Sequence, residues 1–565
     1  MSRKTLSIVF SMFVVLSLLV GCAGTQPPAA PAPTQAPAAA PTEAPKPTEA
    51  PAAAPTEAPA AAPTEAPKPT EAPAAAVSED TLTVVQSTDV NTFEPMEINS
   101  RAEANVIENM CERLMDMDEN LKYQPMLATG YKLLDDNKTW QFKLREDVKF
   151  WDGEPLTAEV VKFVYDRGLG ADVKFTGNTP GYVFPSTGLQ KVEVVDPYTV
   201  NFVLDRFEPD APGYLSEVYI HSMKYYKEST PEQIAAEPMC SGAFKFTEWV
   251  KDDHVTMDRW DGYWGEKPNL KTVVWRVIPE SSTAVAELLA GSVNVVAQVP
   301  PDQAPTIDKS ESAKMAWTPG GRRIYIGQNQ NCEGPGCKEV KDVKVRQALN
   351  MAVDVDTILK NLFAGRGERE GGIVNPPHKS ADIKAYPYDP EGAKKLLAEA
   401  GYPNGFEVTL ATPNGRYQKD KDIALAVASY LEKVGVKAEV VPYEWTVYRG
   451  MTSKKELPAL FLLGSGSEFL SAWYDLSDLV TPDAGTNYQT WQNDQWDAAV
   501  KKLGETTDMA ERKKITDELQ KIVHDDAPWL FIYMQGNWYA VSKNLDWKPS
   551  PTEKMHFYKN AQFTK

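Results

Sequence analysis

Between residue 80 and the C-terminus the spacing of apolar and polar positions changes several times, and each change predicts an element. Thr272 to Ile278 is a run of β-branched and aromatic residues closed by Pro279, which predicts a strand. A helix follows it: Ser281, Ser282 and Thr283 supply caps, Val285, Leu288 and Leu289 share one face, and Gly291 ends it. Val293 to Val299 reads as a second strand. Strand, helix, strand in that order predicts a right-handed crossover in a largely parallel sheet. The pattern recurs in a second α/β lobe. Pro390 to Ala400 predicts a helix stopped by Gly401 and Pro403, then a strand from Phe406 to Leu410, a helix from Lys421 to Lys433, and a strand from Val436 to Val441. Near the C-terminus, Ala510 to His524 places Ile515, Leu519, Ile522 and Val523 on one helical face, and Asp525, Asp526 and Pro528 break it. Trp529 to Tyr533 then predicts a strand crossing between the lobes.

The pattern before residue 80 is of another kind. Arg3 and Lys4 precede an apolar run from Leu6 to Val20, the charged and hydrophobic regions of a secretory signal, and the run is short for a membrane span. It ends in Leu19-Val20-Gly21-Cys22, which resembles the lipobox of bacterial lipoproteins, so residues 1–21 are expected to be removed and Cys22 to carry lipid. From Ala23 to about Val77 the chain is almost all Ala, Pro, Thr, Glu and Lys, with repeats such as Pro41-Thr42-Glu43-Ala44-Pro45. A segment of this composition buries too little apolar surface to offset its ordering entropy, which predicts a disordered tether over 22–78. At about 3.1 Å per residue in polyproline II, it reaches on the order of 170 Å.

Composition narrows the partners. A formal net charge of −19 and a pI near 4.9 work against binding to nucleic acid or anionic lipid, both of which require clustered basic charge. Five cysteines match neither a zinc cluster nor a thioredoxin-like pair. Cys332-Glu333-Gly334-Pro335-Gly336-Cys337 is a short loop whose ends can meet, and a local disulfide between Cys332 and Cys337 is expected in an oxidising compartment. Cys111 and Cys240 either pair or stay as buried thiols. No Gly-x-Ser-x-Gly elbow, His-Glu-x-x-His helix, Walker loop or Gly-x-Gly-x-x-Gly turn occurs, and the histidines are isolated in sequence. The chain is read as a binding protein rather than an enzyme, with no cofactor and no metal.

Trp140-Gln141-Phe142-Lys143-Leu144-Arg145-Glu146-Asp147-Val148-Lys149-Phe150-Trp151-Asp152-Gly153-Glu154-Pro155-Leu156-Thr157 resembles the signature block of the family 5 extracellular solute-binding proteins. Asp152-Gly153 is a preferred turn pair and Thr157 a helix cap, so the local physics agrees. Further blocks follow in the family's order: Ser241 to Phe244, Asp261 to Trp264, Leu288 to Gly291, Val345 to Asn350, Tyr388 to Leu397 and Asp526 to Trp529. The resemblance implies an α/β, two-lobed clamshell like that of periplasmic binding proteins, with an extra subdomain inserted in the first lobe. The expected boundaries are lobe I over 79–323 with the insertion at about 121–227, lobe II over 324–529, and a return to lobe I over 530–565. It also implies a monomer held outside the cytoplasmic membrane, serving the permease and ATPase subunits of an ABC importer. The implied ligand is a di- or oligopeptide. An oligosaccharide or another non-peptide solute, or a sensory or chaperone role on the same fold, is the alternative.

In peptide-binding members a Trp-x-x-Asp stretch in lobe II pairs a carboxylate with the peptide's ammonium group. Here Ser465 stands where that Trp is usual, and the acid is either absent or displaced to Glu468 or Asp475. The candidate ligand contacts are Glu468, Phe469, Trp473 and Tyr474 in this stretch, Trp445 before it, and Tyr325 and Asn329 on the expected hinge strand.

Overall fold

The computed structural model describes residues 80–564, apart from 99, 171–186, 377, 467–470, 474, 477–485, 553 and 560. The expected signal, tether and Cys22 lie outside the described residues, as do Glu468, Phe469 and Tyr474.

The body opens with β1 (Thr81–Gln86) and α1 (Arg101–Ile107). Helix α1 starts at a capping box in which Ser100 and Glu103 satisfy each other's backbone amides. A short ribbon, β2 (Met115–Met117) with β3 (Tyr123–Pro125), leads into β4 (Ala128–Leu133), β5 (Thr139–Leu144), β6 (Leu189–Asp196) and β7 (Thr199–Leu204). These four form an antiparallel sheet in the order β4-β5-β7-β6. Helix α2 (Ala158–Gly168) packs on it and is capped by Thr157, whose hydroxyl accepts from the Val160 amide. The predicted Asp152-Gly153 turn is present, with Gly153 at φ 87°. A short helix, α3 (Ala211–Leu215), follows β7.

The next strands belong to one long sheet: β8 (Phe244–Val250), β9 (His254–Arg259), β10 (Thr272–Val277), β11 (Val295–Ala297), β12 (Ala313–Gln328), β13 (Glu368–Arg369), β14 (Glu407–Pro413), β15 (Lys437–Tyr443), β16 (Leu460–Gly466) and β17 (Trp529–Ser542). With β1 they run in the order β15-β14-β16-β12-β17-β11-β1-β10-β9-β8, and β13 attaches to β17. Strands β10 and β11 flank β1, both parallel to it, and α4 (Ser281–Ala290) joins them in the expected crossover. Two details differ from the sequence reading. The cap of α4 is the Glu280 carboxylate, which accepts from the Ser282 amide, so Ser281 already lies inside the helix. Strand β11 is also shorter than the apolar run Val293–Val299, although the Asn294 and Val299 amides beside it still donate to the Thr83 and Trp538 carbonyls.

Further helices include α5 (Pro390–Glu399), α6 (Asp420–Glu432), α7 (Trp445–Lys454), α8 (Asp494–Glu505) and α9 (Met509–Asp526). Both faces of the β14–β16 half are covered, which is why its strands read as continuous apolar runs. Along β16, Leu460 and Leu462 enter the core built with Ile324, Ile326, Val408 and Leu410. Phe461 and Leu463 point the other way, into a core with Tyr325, Trp491, Trp496 and Trp529.

The two halves of the sheet meet along β12 and β17. These strands pair antiparallel from Ala313 opposite Ser542 to Gly327 opposite Trp529, with register shifts between Pro319 and Arg322 and between Ile324 and Tyr325. The strand predicted over Trp529–Tyr533 therefore continues to Ser542, long enough to serve both halves.

Candidate functional site

Strands β15 and β16 flank β14, both parallel to it. The chain leaves β14 for β15 through α6, then returns past β14 to β16 through α7. In the strand order β15 lies on one side of β14 and β17 beyond the other side of β16, so β14 and β16 straddle a switch point, and open α/β sheets bind ligands in a crevice outside the carboxyl ends of such strands. The loop after β14 is drawn back by Asp420, whose carboxylate accepts from the amides of Gly415, Arg416 and Tyr417 at 3.0, 2.8 and 3.0 Å. That fold presents Arg416, whose guanidinium lies 5.4 Å from the Tyr417 ring centre and 5.0 Å from that of Trp445, the first residue of α7. The Arg322 guanidinium, from β12, stands 6.0 Å from the same Tyr417 ring. Arg322 and Arg416 pair with no carboxylate among the described residues.

The neighbouring residue of β12 points to the other face of the sheet. Arg323, 1% exposed, donates to the Asp475 carboxylate at 3.1 Å and to the Asn375 side-chain carbonyl at 2.6 Å. The Asn375 amide in turn donates to Asp475 at 2.8 Å. Burial pushes the Asp475 carboxyl up to about 6 against the pull of Arg323. Ser465, opposite Arg323 in the β12–β16 ladder, has a buried hydroxyl with no hydrogen-bond partner among the described residues.

The residues singled out from sequence scatter over this region. Trp445 lies at the crevice. Tyr325 is buried and stacks on Trp529 at 3.7 Å, inside the core. Asn329 is fully buried and committed to the backbone: it donates to the Leu457 carbonyl at 2.6 Å and accepts from the Asn331 amide and the Thr490 hydroxyl. Trp473 is half-buried and packs against the core of the β14–β16 half. Asp475, one of two acids read as the displaced carboxylate, is held by Arg323 and Asn375. Cys332 and Cys337 are joined, as are Cys111 and Cys240. The sequence reading missed Arg322, Arg416 and Tyr417. A signal was present: Asn414-Gly415-Arg416-Tyr417 follows a strand assigned to a strand-helix-strand unit, which places it at the carboxyl edge of a parallel sheet.

One ion pair reaches this edge from the other half of the long sheet. Lys419, at the start of α6, reaches Asp302, in the connection after β11, at 3.6 Å. Among the described residues no group of histidines, cysteines and carboxylates is placed to hold a metal ion.

Residues 122–487 match the family described as bacterial extracellular solute-binding proteins, family 5 Middle. The chain is 30% identical to the dipeptide-binding protein of Escherichia coli K12 over 464 residues, which is 77% of this chain and 85% of that protein. It is 28% identical to the glutathione-binding protein GsiB of Escherichia coli O1:K1 / APEC over 482 residues, 82% of this chain and 91% of the relative. Among solved structures, the oligopeptide-binding protein AppA of Bacillus subtilis in complex with a nonapeptide superposes with a TM-score of 0.66 at 26% identity, covering 86% of this chain and 99% of that one.

Proposed function

The chain belongs to the bacterial extracellular solute-binding proteins of family 5, and from that membership we propose that it captures a short peptide outside the cytoplasmic membrane and delivers it to an ABC importer. Its fold is the two-lobed clamshell of the family. The boundaries we adopt are 79–323 for lobe I with its insertion at about 121–227, 324–529 for lobe II, and 530–565 for the return to lobe I. On this reading residues 1–21 direct export, Cys22 carries the lipid, and 22–78 tether a monomeric body to the membrane. Binding and release, without turnover of the ligand, is then the whole of its chemistry.

The observation that carries the peptide reading is the side-chain group at the carboxyl end of β14. Two arginines without carboxylate partners among the described residues stand there against Tyr417 and Trp445. A planar guanidinium matches a carboxylate in a bidentate fashion, and aromatic faces accept side chains of many shapes. A carboxylate-bearing solute with variable side chains fits that combination. Asp475 is already engaged by Arg323, which leaves Glu468 as the acid assigned to the ligand's ammonium group. Relatives named for dipeptide and glutathione binding are consistent with a peptide-like ligand.

Mass spectrometry of the solute that co-purifies with the chain tests the class directly, and a sugar there would overturn it. Titration calorimetry then tests the acid. Glu468→Gln is expected to weaken an amine-bearing peptide by about 2–4 kcal/mol, the scale for removing one partner of a buried charged pair. Unchanged affinity would free Glu468 of that role.

A further inference from the structure

Away from the crevice, the segment after β7 reaches across to lobe II. Asp210, at the start of α3, accepts a hydrogen bond from Ser471, and its carboxylate lies 3.8 Å from His378 Nε2. Tyr214, also in α3, hydrogen-bonds the same Ser471. The Phe207 ring sits 5.5 Å from the Arg512 guanidinium of α9. This contact is dry at its centre, with Ser471 and Tyr214 each 1% exposed. Behind it, the Glu208 carboxylate is buried and accepts the Asp210 amide at 3.2 Å. Ser471 belongs to the same stretch as Glu468 and Trp473.

We propose that residues 207–214 and the group Ser471, His378 and Arg512 form a latch that fastens the closed cleft without touching the solute. The proposal rests on the reading of the chain as a closing solute-capture protein. Its contacts run between side chains of the protein itself, so they add closure free energy that does not depend on which solute is bound.

The latch carries a pH dependence of definite sign. Glu208, Tyr123, Tyr131 and Tyr214 face Asp210 from its own side, with Arg206 beside Glu208, and His378, Arg512 and the Ser471 hydroxyl face it from the other. Burial raises both Asp210 and Glu208, the latter to about 8 with the neighbouring Asp210 charge adding to the effect. Opening returns both carboxyls to water, so the closed form binds more protons than the open one. Closure is favoured most below the ordinary carboxylate range and weakens as the pH rises through about 8.

Spin labels on Val195→Cys in β6 and Met509→Cys in α9, positions 52% and 58% exposed, report the separation of the two sides in the full chain with no peptide added. Pulsed dipolar spectroscopy at pH 6 is expected to show a short, narrow distance distribution that shifts to longer and broader values at pH 9. Asp210→Ala and Ser471→Ala are each expected to produce that shift already at pH 6. Asp210→Asn, which keeps a hydrogen-bonding group but removes the charge, is expected to hold the short distance with a reduced response to pH. Identical distributions in all variants at both pH values would overturn the latch. The readout involves no ligand, so that failure leaves the peptide assignment intact, whereas a normal latch with no peptide affinity would sink the assignment alone.

Discussion

Burial lifts Asp475 well above its ordinary value of 3.8 even though Arg323 donates to it from 3.1 Å. The folded-state value of about 6 lies above that of the unfolded chain. This group's contribution to stability is therefore complete below the ordinary carboxylate range and fades as the pH rises through about 6. Arg323→Met takes away the counter-charge and leaves the carboxylate buried alone. At pH 8 the loss is expected to be about 3–5 kcal/mol, the scale for breaking a buried pair. At pH 5 it shrinks, because Asp475 can then take up a proton. Urea titrations of both proteins at the two pH values check this, and an equal loss at both would mean that Arg323 acts through packing alone. Arg416 makes the opposite case, being exposed and free of ion pairs among the described residues. Arg416→Met is expected to weaken a peptide with a free C-terminus by about 1.5–3 kcal/mol, the worth of a hydrogen bond to a charged group, and to leave the C-terminally amidated peptide nearly unaffected. Calorimetry with the two peptides compares them, and an equal loss for both would remove Arg416 from the carboxylate role.

At the scale of elements, the crossing of β12 and β17 is closely packed. A Cβ on Gly536 would lie 1.8 Å from Trp317 Nε1, so Gly536→Ala is expected to cost about 1–3 kcal/mol and to lower the melting temperature measured by calorimetry. The two disulfides close loops of very different length, with sequence separations of 129 for Cys111–Cys240 and 5 for Cys332–Cys337. Loop-closure entropy then predicts that replacing the first pair by serine costs about 5 kcal/mol and the second about 2 kcal/mol, a ranking that denaturant titration tests. These elements also show how far the sequence could be read. The strand-helix-strand units were legible because period and caps agree locally, as in the crossover through α4. The meeting of β12 with β17 was not, since pairing between residues about 200 apart leaves no mark in a local period. Tyr325 and Asn329 were misleading for a related reason. Polar and aromatic residues on a hinge strand look like ligand contacts in sequence, and only the fold shows that Trp529, Leu457 and Thr490 already occupy them.

For the whole molecule, the reading of 22–78 as a tether predicts that removing residues 1–78 leaves the melting temperature of the body unchanged, as expected when a segment contributes nothing to a core. A marked fall would show that the segment packs on the body. Cys22→Ala is expected to move the protein from the membrane fraction to the soluble one, or to leave the signal uncleaved, and fractionation with fatty-acid labelling distinguishes these from an unlipidated wild type. The sheet order has a consequence for how such a chain comes to exist at all. Strand β1 pairs with β10 and β11, and β11 pairs with β17, while Asn109 donates to the Met555 carbonyl and accepts the Phe557 amide. The sheet around β1 therefore cannot be completed until the segment around Phe557 has left the ribosome. Contacts between such distant positions form slowly, since loop-closure entropy must be overcome before any pairing rewards it. For a protein that works outside the cytoplasm, that delay keeps the chain unfolded, and so threadable, until that segment has emerged.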